Sequence, residues 1–240
     1  MQTSLEQFSE TQSTDAFALQ NAKLLKVRLD QGEIQAKLGA MVAYQGDVTF
    51  EHAGSGGMGR LLKKAVTGEG ARMMRVTGTG EVFLADLAQD VHLLQLNNEK
   101  ITVNSANLLA FEAGIDWDIE RVKGAGAMMG AGLFNTSLQG SGYVAIVSDG
   151  PPVMLDVASA PTFADAQAAI TWSQGVTTSI RTDFKAVKNL TGRGSGETVQ
   201  MAFSGTGWVL VQPSEGRVEG VGAGGGGNSP GGVLGNLLNG

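Results

Sequence analysis

One short motif, two glycines separated by a single residue and followed by an apolar run, occurs three times in this sequence. It reads VTGTGEVFLA at 76–85, LQGSGYVAIV at 138–147 and FSGTGWVLVQ at 203–212. The three glycine pairs recur at nearly equal intervals along the chain, and a further Gly-x-Gly pair precedes each of them. Because self-similarity at a fixed period is the signature of a repeated structural unit, the motif predicts one unit written three times.

These glycines do not have the context of a phosphate-binding loop. Such a loop leads from a strand into a helix, whose N-terminal amides bind the anion. Here each pair leads into a short run rich in β-branched and aromatic residues, and no Gly-Lys-Ser/Thr follows. We therefore predict that the glycines supply positive φ angles or a bulge where the chain re-enters a sheet, and that they bind no nucleotide.

Three aromatic residues mark the front half of each unit. Tyr44, Phe111 and Trp172 recur at similar intervals, and we expect them to be core anchors where the units meet. The run IDWDIE at 115–120 alternates apolar and acidic residues with the period of two that is typical of a strand. Three dipeptides ending in glycine separate strand-like runs and predict hairpin turns, at 45–46, 113–114 and 174–175.

These patterns predict an all-β, antiparallel fold of three internal repeats, with no long helical pattern anywhere. We expect an N-terminal extension at 1–22 and one domain at 23–217, whose repeats cover about 23–88, 89–150 and 151–217. From Gly220 onward, nearly half of the positions are glycine and no side chain is charged. Residues 218–240 are therefore expected to form a flexible tail, with the docking of its apolar end on a partner as the alternative.

Composition restricts the partners and the compartment. The net charge of −6 argues against nucleic acid as a partner. The chain has no cysteine, which excludes disulfides and cysteine-based zinc sites and fits a reducing compartment. The stretch 1–22 contains no Lys or Arg, unlike a secretory signal or a transit peptide, and no apolar run is long enough to span a bilayer. We therefore expect a cytoplasmic protein.

Several long stretches resemble the altered-inheritance-of-mitochondria protein 24 family. They include LGAMVAYQGDVTFE, LLKKAVTGEG and GEVFLADLAQDVHLLQLNNEKITVNSANLLAFEAGIDWDIERV, and the similarity runs from about Lys23 to Gln212. The resemblance implies a fold related to the tryptophan RNA-binding attenuation protein (TRAP), with double-stranded β-helix units around a pseudo-threefold axis. It implies a bacterial member of the family with no assigned reaction, since the mitochondrial role of eukaryotic relatives requires a transit peptide.

No pattern of catalytic or metal-binding residues stands out. His52 and His92 fall at different points of the repeat, without a second histidine or a carboxylate at ligand spacing. Asp116, Asp118 and Glu120 share one strand face, which we interpret as a solvated outer face rather than a cation site. We therefore expect no catalytic, cofactor-binding or metal-binding residues. An enzyme or small-molecule binder with a site in a groove between repeats remains the alternative.

Basic residues in the loop of each repeat are the candidate partner-binding site. Seven of the 17 basic residues fall there in an otherwise acidic chain: Arg60, Lys63, Lys64, Lys123, Lys185, Lys188 and Arg193. Pseudo-threefold symmetry would bring them to one end of the molecule, beside Leu61, Leu62, Met128 and Met129. The alternative is that these are solvated loops with incidental lysines.

The prediction is thus a non-enzymatic binding or assembly module that engages an anionic protein or membrane surface. The sequence names no individual partner, and it leaves the formation of a homo-oligomer open.

Overall fold

The computed structural model describes residues 4–52, 72–121, 134–182 and 199–214. These residues form antiparallel β-structure, with two short 3-10 helices at Ser4–Phe8 and Ser105–Asn107. The all-β, antiparallel prediction is confirmed for this part of the chain.

The first segment contains four strands: β1 (Phe17–Asn21), β2 (Leu24–Lys37), β3 (Met41–His52) and β4 (Met73–Leu84). Strand β4 lies between β2 and β3 and pairs with both along their length. Strand β1 pairs with the start of β2, with Phe17 opposite Val27. The sheet therefore begins at Phe17, ahead of the boundary expected at Lys23, because the buried ring of Phe17 joins the core.

The second segment contains β5 (Asp90–Asn104), β6 (Leu108–Glu112), β7 (Asp116–Arg121) and β8 (Phe134–Ser148). Strand β8 pairs with β5 on one side and with β6 and β7 in succession on the other.

The third segment consists of shorter strands: β9 (Val153–Asp156), β10 (Thr162–Asp165), β11 (Ala169–Ser173), β12 (Val176–Thr182), β13 (Val199–Gly205) and β14 (Trp208–Val211). Strand β14 lies between β11 and β9, and β13 lies between β12 and β10.

Two further pairings connect the segments into one large sheet. Strand β2 pairs with β6, and β5 pairs with β11. In the described part of the chain, the large sheet has the strand order β3-β4-β2-β6-β8-β5-β11-β14-β9, while β10, β13 and β12 form a separate three-stranded sheet. Strand β3 therefore lies at one end of the large sheet.

The three expected hairpin turns do not reverse the chain, so this prediction was wrong. Gln45 and Gly46 lie inside the continuous strand β3. At Ala113–Gly114 the chain bends and continues in the same direction, since β6 and β7 both pair with β8. At Gln174–Gly175 it likewise passes from β11, which pairs with β14, to β12, which pairs with β13, and β11 and β12 do not pair with each other. Each dipeptide therefore marks a corner in a strand, where the backbone turns from one part of a sheet to the next.

The glycines of the recurring motif have the backbone conformation that the sequence predicted. All six lie at positive φ, between +111° at Gly205 and +151° at Gly80. At Gly80, an added Cβ would lie 2.0 Å from the carbonyl oxygen of Gln45 on the neighbouring strand. Glycine is needed there because two backbones cross too closely for any side chain.

Two of the three aromatic residues that were expected to be core anchors lie in the apolar interior. Phe111 and Trp172 are buried, at 0% and 4% exposure, and their rings make edge contacts with Trp117 and Phe203. The prediction was wrong for Tyr44, whose side chain is 48% exposed. Strands β6 and β11 are each flanked on both sides, whereas β3 pairs only with β4 among the described strands.

Candidate functional site

The seven basic loop residues lie outside the described residues, as do Leu61, Leu62, Met128 and Met129. The structure does show where their loops attach. Each loop connects two directly paired strands, leaving from β3, β7 or β12 and returning into β4, β8 or β13. At the base of each loop, the last strand residue before it is paired with a residue of the strand that follows: His52 with Met74, Arg121 with Phe134 and Thr182 with Val199.

The acidic face of β7 lies in solvent. Asp116, Asp118 and Glu120 are exposed, while Trp117 and Ile119 between them are half-buried. The described residues include no cluster of three or more side chains suited to holding a metal ion. The three carboxylates thus lie on an exposed strand face, which agrees with the interpretation of a solvated outer face.

His92 has a structural hydrogen bond rather than the geometry of a catalytic base. Its Nε2 lies 2.7 Å from the Oγ of Ser148, and that hydroxyl donates its proton to the carbonyl oxygen of Gly150 at 2.7 Å. The hydroxyl oxygen therefore accepts from His92, which assigns the proton to Nε2. Burial lowers the pKa of His92, against an opposing effect of Asp90, so the ring is neutral at pH 7.

A buried lysine ties the N-terminal segment to the sheet. Lys26 on β2 is only 4% exposed, and its Nζ lies 2.5 Å from Glu10 Oε1 and 2.9 Å from Glu81 Oε1. It also donates to the carbonyl oxygen of Thr11 at 3.0 Å. Burial alone would lower the pKa of Lys26, but its hydrogen bonds to the two carboxylates raise it. Residues 10–11, expected to belong to an extension, are thus held on the domain.

An open polar depression of about 370 Å³ lies at the corner where β2, β3 and β4 meet. It is lined by polar groups that include Asp47, Thr77 and Arg75. The Arg75 guanidinium lies 2.6 Å from Glu33 and 3.2 Å from Glu51, and hydrogen bonding to these carboxylates raises its pKa. Because two carboxylates already balance its charge, Arg75 connects three strands rather than offering an unpaired cation to a ligand.

The most unusual surface is the outer edge of β3. Every residue from Met41 to Asp47 is exposed, including Val42 at 60%. Strand β10 also carries an exposed aromatic residue, Phe163, at 43%. Strand edges with apolar side chains are templates for pairing with another strand, and exposed apolar patches mark interaction surfaces. We call the stretch Met41–Asp47 the β3 edge.

Sequence reasoning missed both Lys26 and the β3 edge. The Lys26 partners, Glu10 and Glu81, are far away in sequence, so no local pattern signals the cluster. The run MVAYQ at 41–45 reads like the buried runs LLAFE and AITWS, and only the sheet order shows that no other described strand lies on its outer side.

The fold and these sites together define a class of protein, an all-β sheet protein built from long antiparallel strands that bend at glycine corners. The model of the family described as Mitochondrial biogenesis AIM24 matches residues 17–214, and the chain belongs to that family. A crystal structure of protein SPYM3_0169 from Streptococcus pyogenes is similar, with a TM-score of 0.65 and 20% identity. The similarity covers 82% of this chain and 92% of that one, and at this identity it shows the fold alone. No curated protein matches this sequence significantly.

Helices in the described segments are too short to cross a lipid bilayer.

Proposed function

We propose that this chain is a non-catalytic binding and assembly module. The observation that carries the proposal is the β3 edge, a run of exposed residues with Val42 and Tyr44 at 60% and 48% exposure. Proteins that stay monomeric protect such an edge strand with charged residues, with proline or with a covering segment. The first half of β3, from Met41 to Gln45, contains neither a charged residue nor a proline.

The ionisable groups of the described strands support the same proposal. Lys26, Arg75 and His92 all have perturbed pKa values, which is the property that catalytic groups share. Each of the three is engaged in bonds between strands, through Glu10 and Glu81, through Glu33 and Glu51, or through Ser148.

A thermal-shift screen with metals, nucleotides and metabolites tests this proposal against an enzyme or small-molecule binder. We expect no compound to raise the melting temperature in a concentration-dependent manner. A saturable rise would favour the rival, and its loss in Arg75→Met or Asp47→Asn would assign the site to the corner depression.

We further propose that the basic loops engage an anionic membrane or protein surface. The support is the placement of Arg60, Lys63, Lys64, Lys123, Lys185, Lys188 and Arg193 in corresponding loops of an acidic chain. Near an anionic membrane each such residue contributes up to about 1 kcal/mol, and this attraction decays within a Debye length.

Liposome co-sedimentation with and without acidic lipid tests the loop proposal. We expect binding that weakens with salt and is reduced by the triple variant Lys63→Glu, Lys64→Glu and Lys188→Glu. The control reverses three cations on or beside β2 and β5, Lys23, Arg28 and Lys100, and therefore makes the same change in net charge. Equal recovery of the wild type and both variants would contradict the proposal.

We also propose that segments 23–88, 89–150 and 151–217 are copies of one TRAP-like unit in a pseudo-threefold arrangement, of which two joints, β2–β6 and β5–β11, are made between described strands of one chain. In support, β4, β8 and the β13–β14 pair each lie between two partners, and each carries the positive-φ glycine pair. Superposition of the three segments with matched glycine pairs tests this. A bacterial, cytoplasmic setting completes the proposal, and the absence of cysteine fits the reducing compartment that it implies.

A further inference from the structure

We call the pairing of two strands from different segments a joint. The two joints between described strands, β2–β6 and β5–β11, show what surrounds a strand like β3 when both of its edges are paired. Strand β6 is flanked by β8 and β2, with Phe111 opposite Gln35. Strand β11 is flanked by β14 and β5, with Trp172 opposite Thr102. Residues 108–111 and 169–172 are all buried as a result, whereas every residue at 41–45 is exposed. Among the described strands, Tyr44 thus differs from Phe111 and Trp172 in having no neighbour strand on its outer side, although the sequence around it resembles those of β6 and β11.

The same chain carries a strand suited to that vacant side. The residues Tyr44, Phe111 and Trp172 are equivalent in the three segments. Gln35, Thr102 and Phe163 have the same spacing along the chain, so Phe163 is the third-segment equivalent of Gln35 and Thr102. Phe163 lies on β10, which pairs with β13 on one side and with no other strand of the described chain. Its ring is 43% exposed, with the Arg181 guanidinium 5.0 Å from the ring centroid. One chain therefore has both halves of a third joint, and no described strand pairs with either half on that side.

We propose that β3 of one copy pairs antiparallel with β10 of a second copy of this chain. The register follows from the two joints within the chain, and it places Tyr44 opposite Phe163, Ala43 opposite Ala164 and Gln45 opposite Thr162. This inference rests on the proposed assembly role, and it names the partner of the β3 edge. Pairing of two different edges is head-to-tail, so the assembly closes into a ring or grows as a filament.

The chemistry of the two edges favours a second copy over an unrelated peptide. Antiparallel pairing satisfies the free backbone groups of both edges at once, and the two aromatic rings would come together as a cross-strand pair. Tyr44 would be buried in the joint, as Phe111 and Trp172 are in theirs.

Light scattering coupled to size-exclusion chromatography, over a range of protein concentrations, tests the inference. We expect the wild type to have a mass that is a multiple of 24.8 kDa and rises with concentration. Tyr44→Asp should weaken association on the order of 30-fold or more, the effect of removing an interface anchor. The control Leu19→Asp changes a strand residue of similar exposure, 40%, outside the joint and should associate like the wild type. A wild type of single-chain mass at every concentration would overturn the inference.

Cysteine cross-linking then tests the register, and the natural chain contributes no competing thiol. Mixing Ala43→Cys with Ala164→Cys under oxidising conditions should yield a cross-linked dimer. Mixing Ala43→Cys with Asp165→Cys should not, because adjacent residues project to opposite faces of a strand. If the double variant Ala43→Cys with Ala164→Cys cross-links only within one chain, the joint closes internally and the inference is wrong.

Liposome binding by the basic loops does not involve these edges. Failure of the assembly inference is therefore distinguishable from failure of the proposed anionic-surface binding. A monomer that still sediments with acidic liposomes would refute only the former.

Discussion

The close crossing of backbones at Gly80 gives the sharpest stability prediction. Gly80 has a φ of +151°, and a Cβ there would meet the carbonyl oxygen of Gln45 at 2.0 Å and the Cα of Gly46 at 3.1 Å. Alanine at Gly80 thus suffers two separate penalties. It must adopt a backbone conformation that L residues avoid, and strands β3 and β4 must separate at the corner.

Alanine substitutions at two other glycines serve as references for these two penalties. Gly39 has a φ of +86°, but an added Cβ there would have no neighbouring atom within 4 Å, so alanine is strained without a clash. Gly114 has no positive φ, and its nearest neighbour is the carbonyl oxygen of Ser141 at 4.0 Å, so alanine there is neither strained nor crowded. The three positions form a graded series on one fold.

The expected losses of unfolding free energy follow from this series. Gly39→Ala should cost roughly 1–2 kcal/mol for the left-handed conformation alone. Gly80→Ala should cost roughly 3–5 kcal/mol, as backbone strain and weakened ladder hydrogen bonds add. Gly114→Ala should be neutral or stabilise by up to about 1 kcal/mol, because it restricts the unfolded chain.

Urea denaturation measures all three as shifts of the midpoint at constant slope. The reasoning would be refuted if Gly80→Ala cost no more than Gly39→Ala, because the cross-strand contact would then have no energetic effect. A large loss in Gly114→Ala would equally contradict it.

Two further predictions concern the polar groups that hold strands together. Hydrogen bonding with Glu81, and to a lesser extent with Lys26, lowers the pKa of Glu10 below its ordinary value of 4.5. The pKa of Lys26 is raised above its ordinary value of 10.5. Attachment of the N-terminal segment should therefore persist between these values, weaken as the pH falls below 4.5 and weaken again above 10.5. Hydrogen exchange of the Thr11 amide reports it, and Glu10→Gln should remove the acid limb. Separately, Gln212→Ala should cost about 1–3 kcal/mol in urea denaturation, because the buried Asn107 amide and the Asp149 N–H lose their shared acceptor. The exposed Gln95→Ala should change nothing.

Local patterns were sufficient to predict the strands and the positive φ angles of the Gly-x-Gly pairs. Alternation in IDWDIE and the apolar runs after each Gly-x-Gly reflect which face of a strand is buried, and this depends only on period. Positive φ at glycines such as Gly80 and Gly142 was predictable from the motif itself, because a repeated glycine pair before a strand has few structural roles.

The errors concern contacts that no local pattern contains. Tyr44, Phe111 and Trp172 occupy equivalent positions, but burial of each depends on whether a strand from another segment lies alongside. The corners were interpreted as hairpins because a turn dipeptide between two strands looks alike whether the chain reverses or continues. The Lys26 cluster depends on residues that fold back from the N-terminus, so its partners could not be paired from sequence. The basic loop residues lie outside the described structure and stay a prediction.

The third segment differs from the first two in how its strands pass the corner. In the first two, a long strand passes the corner through a bulged residue at positive φ, Gln31 in β2 and Asn98 in β5. A hydroxyl in the middle of each Gly-x-Gly accepts the bulge amide, Thr79 Oγ1 at 3.3 Å and Ser141 Oγ at 2.8 Å. Each strand thereby runs unbroken from its own segment into the next joint.

The corresponding strand of the third segment breaks into β9 and β10. Its facing strand breaks as well, into β13 and β14 on either side of Thr206, whose amide bonds to the carbonyl oxygen of Gly175 instead. Strand β10 lies in the small three-stranded sheet, whereas β3 belongs to the large sheet. The proposed joint between β3 and β10 thus has matching strands in every copy but no continuous corner strand within one copy, which favours a neighbouring copy as the partner.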